Sequence, residues 1–145
     1  MKSFDYSSYL SPFTWRYGSS EMRRIWSEIH KRKLWRKTWV SLARAQAKSG
    51  IIGKEEIDDL VSHQDDIDIE KSHEIEKEIR HDLMAEVKTF ADQAKVGGGK
   101  IHLGATSMDI EDNTDTVRFQ ESFLLVKKKL KELLVEFSQK IKKYK

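Results

Sequence analysis

The chain has no cysteine, so neither a disulfide framework nor a thiolate metal site is open to it. It has one proline, Pro12, so no later segment carries a residue that breaks a helix interior. Six of its seven glycines fall at boundaries: Gly18, Gly50, Gly53 and the triplet Gly97-Gly98-Gly99. That distribution favours long, uninterrupted helices. The longest apolar run is four residues, over 123–126, far short of the roughly 20 a membrane-spanning helix needs. Residues 1–6 lack the apolar core of a signal peptide, and a soluble cytoplasmic protein is the expectation. No phosphate loop, dinucleotide fingerprint or serine-nucleophile motif occurs. His30, His63 and His73 are scattered without ligand spacing, so no metal and no cofactor is expected.

What is present is charge and helical periodicity. Charged residues make up 35% and apolar residues 38% of the 145, a globular balance because the apolar residues recur at regular spacings. The length suffices for a modest core. The net charge is only +3, with the basic excess in Lys127-Lys128-Lys129, Lys131, Lys140, Lys142, Lys143 and Lys145. Phe137 and Tyr144 are the only aromatics among these lysines, too few for a base-stacking platform, so the lysines read as the outer face of a helix and no nucleic acid is expected as a partner.

Four helical stretches follow a short irregular arm over residues 1–18. The first opens at Ser20 as N-cap. It carries Met22, Ile25, Trp26 and Ile29, changes phase near Arg32-Lys33, continues through Trp35, Trp39, Val40, Leu42, Ala43 and Ala47, and stops at Gly50. A short helix over about 54–62 holds Ile57 and Leu60. A third stretch, about 68–94, carries Ile75, Ile79, Met84, Val87 and Ala91. It is interrupted at Arg80-His81-Asp82, where a bend or a site is expected. The last begins near 109–112 and runs to the end, with Phe123, Val126, Leu130, Leu133, Leu134, Phe137 and Ile141 at spacings of three and four. That seam needs partner helices. We expect either oligomerisation through it or a chain cut before its natural end, the cut being the better expectation.

The most informative stretch is His102-Leu103-Gly104-Ala105-Thr106-Ser107-Met108-Asp109-Ile110-Glu111-Asp112-Asn113-Thr114. It follows what reads as a flexible triple glycine and precedes the longest helix. Two hydroxyls at a helix start form a natural seat for a carboxylate, because first-turn amides lack intrahelical partners and the dipole is positive there. The alternative is plain capping by Ser107 or Asp109, with Glu111 and Asp112 complementing the dipole. His81, between Arg80 and Asp82, has the setting of a tuned acid or base, or is an ordinary surface histidine. Arg16 beside Tyr17 in the arm suits a phosphate clamp, or the arm merely packs its aromatics on the bundle.

Taken together, Ser11-Pro12-Phe13-Thr14-Trp15-Arg16-Tyr17, the tryptophan-rich helix ending at Gly50, Arg80-His81-Asp82-Leu83-Met84-Ala85, and His102-Leu103-Gly104-Ala105-Thr106-Ser107 with Asp112-Asn113-Thr114-Asp115 resemble the adenylosuccinate lyases. These belong to the fumarase/aspartase superfamily. The resemblance spans nearly the whole chain. It implies an all-α fold: the superfamily's N-terminal helical domain over residues 1–110, then the first long helix of the central bundle over 111–145. It also implies β-elimination of fumarate from adenylosuccinate, giving AMP, and from the succinyl-carboxamide ribotide of purine synthesis (SAICAR, giving AICAR). By resemblance, Thr106 and Ser107 hold the succinyl carboxylate, Arg16 and Tyr17 hold the phosphate, and Arg80 and Asp82 line the site. His81 orients substrate or assists proton transfer. The family's general-acid histidine and its base, a serine on a mobile loop, have no counterpart in this sequence. Family sites are assembled from several subunits of a homotetramer. The resemblance therefore implies a part of the enzyme that is inactive alone. The rival reading is a standalone helical module that pairs through the seam over 123–141.

Overall fold

A computed structural model describes residues 9–145; residues 1–8, including the first part of the arm and the stretch read for a signal peptide, lie outside the described residues. The described residues form helices joined by turns, with no strand among them. After a π-helical turn, Phe13–Tyr17, come α1 (Ser20–Ile25), α2 (Glu28–Ala47), α3 (Lys54–His63), α4 (Ile69–Ile79), α5 (Asp82–Gln93) and α6 (Ser107–Tyr144). The all-α expectation holds.

The stretch over 20–50 is two helices, because serines cap both. Ser19, one residue before the expected cap, accepts from the Met22 N–H at 3.1 Å. Ser27 accepts from the His30 N–H at 3.2 Å and starts α2. The apparent phase change near Arg32 has a physical cause. Arg32, Trp35, Arg36, Trp39, Val40 and Ala43 are all buried on one α2 face, so two arginines occupy positions on the inward stripe. Arg36 Nε donates to Glu86 Oε1 at 2.7 Å with both side chains fully enclosed, and Arg32 stacks 4.4 Å over the Trp35 ring.

The core joins Trp35, Trp39 and Val40 of α2 to Leu60 of α3, Leu83, Val87 and Phe90 of α5, and Ile101 and Ile110. Of the predicted third stripe, Val87 is buried, while Ile75, Ile79, Met84 and Ala91 are half-buried; Leu83 and Phe90 do most of the inward packing. The interruption over 80–82 is a true break. Arg80 ends α4 in the left-handed region at φ 56°, and His81 caps α5 with its Nδ1 accepting from the Met84 N–H at 3.4 Å. A β-carbon-bearing residue in that region carries strain.

The triple glycine is packed rather than loose. A β-carbon on Gly98 would sit 2.7 Å from Ala91 Cα, and one on Gly97 would sit 2.4 Å from the Glu56 carbonyl oxygen. Asp59 Oδ2 accepts from the Val96 and Gly97 N–H groups at 2.8 and 2.9 Å. Those bonds, Gly97's first, hold the Asp59 carboxyl below its ordinary pKa.

The last helix starts at Ser107, earlier than the 109–112 expected, and runs 38 residues, about 57 Å at 1.5 Å per residue. Its first turns join the core through Ile110, Thr114 and Arg118. Next it is held by Trp26, whose indole N–H donates to Ser122 Oγ at 3.0 Å, and by His30, 2.7 Å from Glu121. Beyond that the seam is uncovered: Phe123, Leu130, Leu134 and Ile141 are each more than half exposed.

Candidate functional site

Two sequence segments far apart in the chain meet at the start of α6. Thr106 is the N-cap in extended backbone, and Ser107 is the first helical residue. Asp109, three residues on, accepts from the Thr106 N–H at 2.9 Å. Neither Ser107 nor Asp109 is therefore the cap; Thr106 has that role, with Asp109 reaching back as in a capping box. The carboxylate thus covers one edge of the helix start, where the dipole is positive.

The loop leading into this turn is clamped by α2, by α3 and by the turn between them. Ile101 is buried. Gln46 Nε2 donates to the Leu103 carbonyl at 2.7 Å. Trp39 Nε1 donates to His102 Nδ1 at 3.2 Å. Lys100 reaches the Ile51 carbonyl at 2.7 Å and Glu56 at 3.2 Å. A ligand seat built on such a loop is preorganised, which is what tight recognition of a small anion requires.

The α4–α5 break brings His81 and Asp82 beside this loop. Burial holds the His102 ring below its ordinary pKa; Asp109 pulls it up and His81 pushes it further down. Burial also raises the Glu111 carboxyl, Asp82 adding to the rise while Lys31 and His81 oppose it. His81 and Asp82 at the break thus lie within electrostatic range of His102 and of Glu111 one turn into α6, with Asp109, Asp115 and Lys31 of α2 in the same neighbourhood. Asp82 is positioned by its own bond from the Leu83 N–H at 2.8 Å, with Lys31 Nζ 3.9 Å away. The His81 side chain is 46% exposed and its Nδ1 lies 3.9 Å from Asp82 Oδ1, so its ring is accessible to a ligand. The cluster combines an accessible imidazole, hydroxyls at a helix start and a half-buried imidazole held below its ordinary pKa. Chemically it suits holding a carboxylate while a proton moves nearby.

The other sequence candidates lie elsewhere. Arg80 lines a shallow groove on α4 with His73, Glu76 and Lys77. Tyr17 lies against the middle of α6, in a groove with Met22, Val126 and Leu130. Arg16 stacks on its neighbour Trp15 at 5.0 Å. From Ser107 to Val126 along α6 is about 28 Å at 1.5 Å per residue, so within one chain the arm's candidates do not join the His81–Ser107 cluster. Lys31, Trp39 and Glu111 were not legible as site residues. Their spacing in the sequence is that of ordinary helix positions, and only the packing of α2 and α6 brings them to the cluster.

An all-helical unit that presents an anchored helix start beside an exposed histidine is what the fold and site define. No family model matches the chain. Curated relatives do. The chain is 40% identical over 136 residues to "Adenylosuccinate lyase" of Pyrococcus abyssi, covering 92% of this chain and 30% of the relative. It is 42% identical over 125 residues to that of Pyrococcus horikoshii, covering 84% and 28%. It is 33% identical over 145 residues to that of Saccharomyces cerevisiae, covering 97% and 30%. The chain belongs to the adenylosuccinate lyase family over the stretch it covers, and it spans about 30% of the length of these relatives.

Proposed function

We propose that this chain is the N-terminal part of an adenylosuccinate lyase and supplies its anion-holding residues. The reaction is elimination of fumarate from adenylosuccinate, giving AMP, and from SAICAR, giving AICAR. A base removes a proton beside a carboxylate, an acid protonates the departing nitrogen, and negative charge gathers on that carboxylate in between. In our reading Thr106 and Ser107 hold that carboxylate, where preorganised donors act most strongly. His81 orients substrate or assists proton transfer, with Asp82 beside it. Arg16 and Tyr17 hold the phosphate of a substrate seated in another subunit's cluster, and Arg80, which faces its own groove on α4, likewise lines a site that another subunit completes. Residues 1–110 act as the substrate-holding domain and 111–145 as the first helix of a bundle that builds a cytoplasmic homotetramer. The observation that carries the reading is the meeting of the His81–Asp82 break with the His102–Ser107 loop.

Without the acid and base segments the purified chain forms no AMP or fumarate from adenylosuccinate; measurable turnover would overturn that part. In the full-length enzyme carrying this segment, Ser107→Ala lowers kcat at least ~100-fold, the scale of one lost donor to a developing anion, and leaves the melting temperature nearly unchanged. A large drop in melting temperature with normal activity per folded enzyme would make Ser107 structural. The uncovered seam over 123–141 favours one rival, a module that pairs helices with another protein. Its mark is concentration-dependent association indifferent to AMP and fumarate.

A further inference from the structure

The Trp39–His102 contact carries more information than packing. The indole N–H donates to His102 Nδ1 at 3.2 Å, and the rings meet edge-on at 6.1 Å between centroids and 85° between planes. Trp39 is 1% exposed, at the centre of the core, so its donor direction is fixed. An indole nitrogen donates and never accepts. The imidazole nitrogen facing it must therefore carry a lone pair, and a neutral ring then bears its proton on Nε2. His102 sits at φ 67°, a left-handed conformation that a residue with a β-carbon adopts only when its surroundings over-determine it. The buried Ile101 on one side and the Gln46 bond to the Leu103 carbonyl on the other supply that constraint.

We propose that Trp39 is a positioning residue that locks His102 as the neutral Nε2–H tautomer, giving the helix-start site one fixed, uncharged N–H donor for an oxygen of its anionic ligand. The ligand part rests on the lyase reading; the tautomer does not. Protonating the ring would place a second N–H against the indole N–H, so Trp39 opposes the charged form. The charged groups around the ring divide. Asp109, on the first turn of α6, favours protonation. His81, at the α4–α5 break, opposes it, and burial, the largest effect, opposes it too. A donor that stays neutral holds the ligand's oxygen with the same geometry across neutral pH.

Long-range proton–nitrogen correlation spectra of the 15N-labelled chain read the tautomer directly. We expect His102 Nδ1 at a pyridine-type shift, Nε2 at a pyrrole-type shift, and a titration midpoint below the ordinary histidine value. An Nδ1–H form, or a fast mixture, in the wild-type chain would overturn the lock whether or not any variant folds. His102→Ala, which removes the acceptor, should move the Trp39 indole proton upfield; no movement would count against the bond. In the full-length lyase, Trp39→Phe should shift the acid limb of kcat/KM upward by about 0.5–1 pH unit, the scale of one net hydrogen bond to the neutral ring. An unmoved limb in a folded variant leaves Trp39 with packing alone and refutes the positioning role. A wild-type parent with no adenylosuccinate turnover would instead sink the lyase reading, with the tautomer result standing by itself.

Discussion

Replacing Glu86 with alanine should destabilise this chain more than any surface change. The carboxylate and the Arg36 guanidinium are both fully buried and 2.7 Å apart. The other partners of Arg36 are neutral: the His63 and Asp66 carbonyls at 2.8 and 3.2 Å and Gln93 Oε1 at 2.8 Å. Arg32, whose Nε lies 3.9 Å from Glu86 Oε2, has only half-exposed Glu28 as a second counter-charge, at 3.7 Å. Glu86→Ala thus strands a buried cation, which costs about 3–5 kcal/mol. A domain of this size has roughly 7–15 kcal/mol in all, and about 3 °C is lost per kcal/mol. The melting temperature should fall by about 10–15 °C. Urea unfolding followed by far-ultraviolet circular dichroism and tryptophan fluorescence gives the free energy. The double variant Arg36→Met/Glu86→Leu should recover most of the loss, because an apolar pair of similar volume replaces a buried ion pair at little cost. A Glu86→Ala chain within about 1 kcal/mol of wild type would refute the reasoning, as would a cycle whose single costs simply add.

Two further perturbations test the approach to the site. Gly98→Ala should cost about 1–3 kcal/mol by overpacking, since its β-carbon meets Ala91 backbone atoms at 2.7 and 2.8 Å, whereas Gly99→Ala, with nothing within 4 Å, should stay within about 0.5 kcal/mol; equal costs in urea unfolding would mean the triplet is not packed. The Asp59 carboxyl, held low by the Gly97 and Val96 N–H groups, contributes stability that is complete above its unfolded pKa and is lost as pH falls through its depressed folded pKa. Asp59→Asn should therefore lower the melting temperature at neutral pH and flatten its fall in acid; parallel acid profiles for the two chains would exclude that linkage.

The helices were legible because their signals are local. Spacings of three and four, serines before helical runs and the glycine at residue 50 each act within a turn or two of chain. The break at Arg80-His81-Asp82 was visible for the same reason: a charged triplet interrupts an apolar stripe. The Ser27 cap was missed because Trp26 and Ile29 continue the apolar rhythm across it, and backbone capping outweighed that rhythm. The glycine triplet read as loose because composition says nothing about neighbours. Its tightness comes from Ala91, seven residues before Gly98, and from Glu56 on α3, 41 residues before Gly97.

By itself, then, the sequence determined an all-α chain, its interruption near residue 80, a long last helix starting within a few residues of Thr106, and the seam over 123–141. Tertiary structure alone decided which of these features meet. It set Arg36 against Glu86 across 50 residues and Trp39 against His102 across 63. It brought Lys31 and Glu111 to the cluster and left Arg16 and Tyr17 apart from it. The reason is physical. Periodicity and capping are short-range properties of one helix, whereas an ion pair or a hydrogen bond between helices depends on how their faces pack, and a helix sequence does not encode the distance to its neighbour.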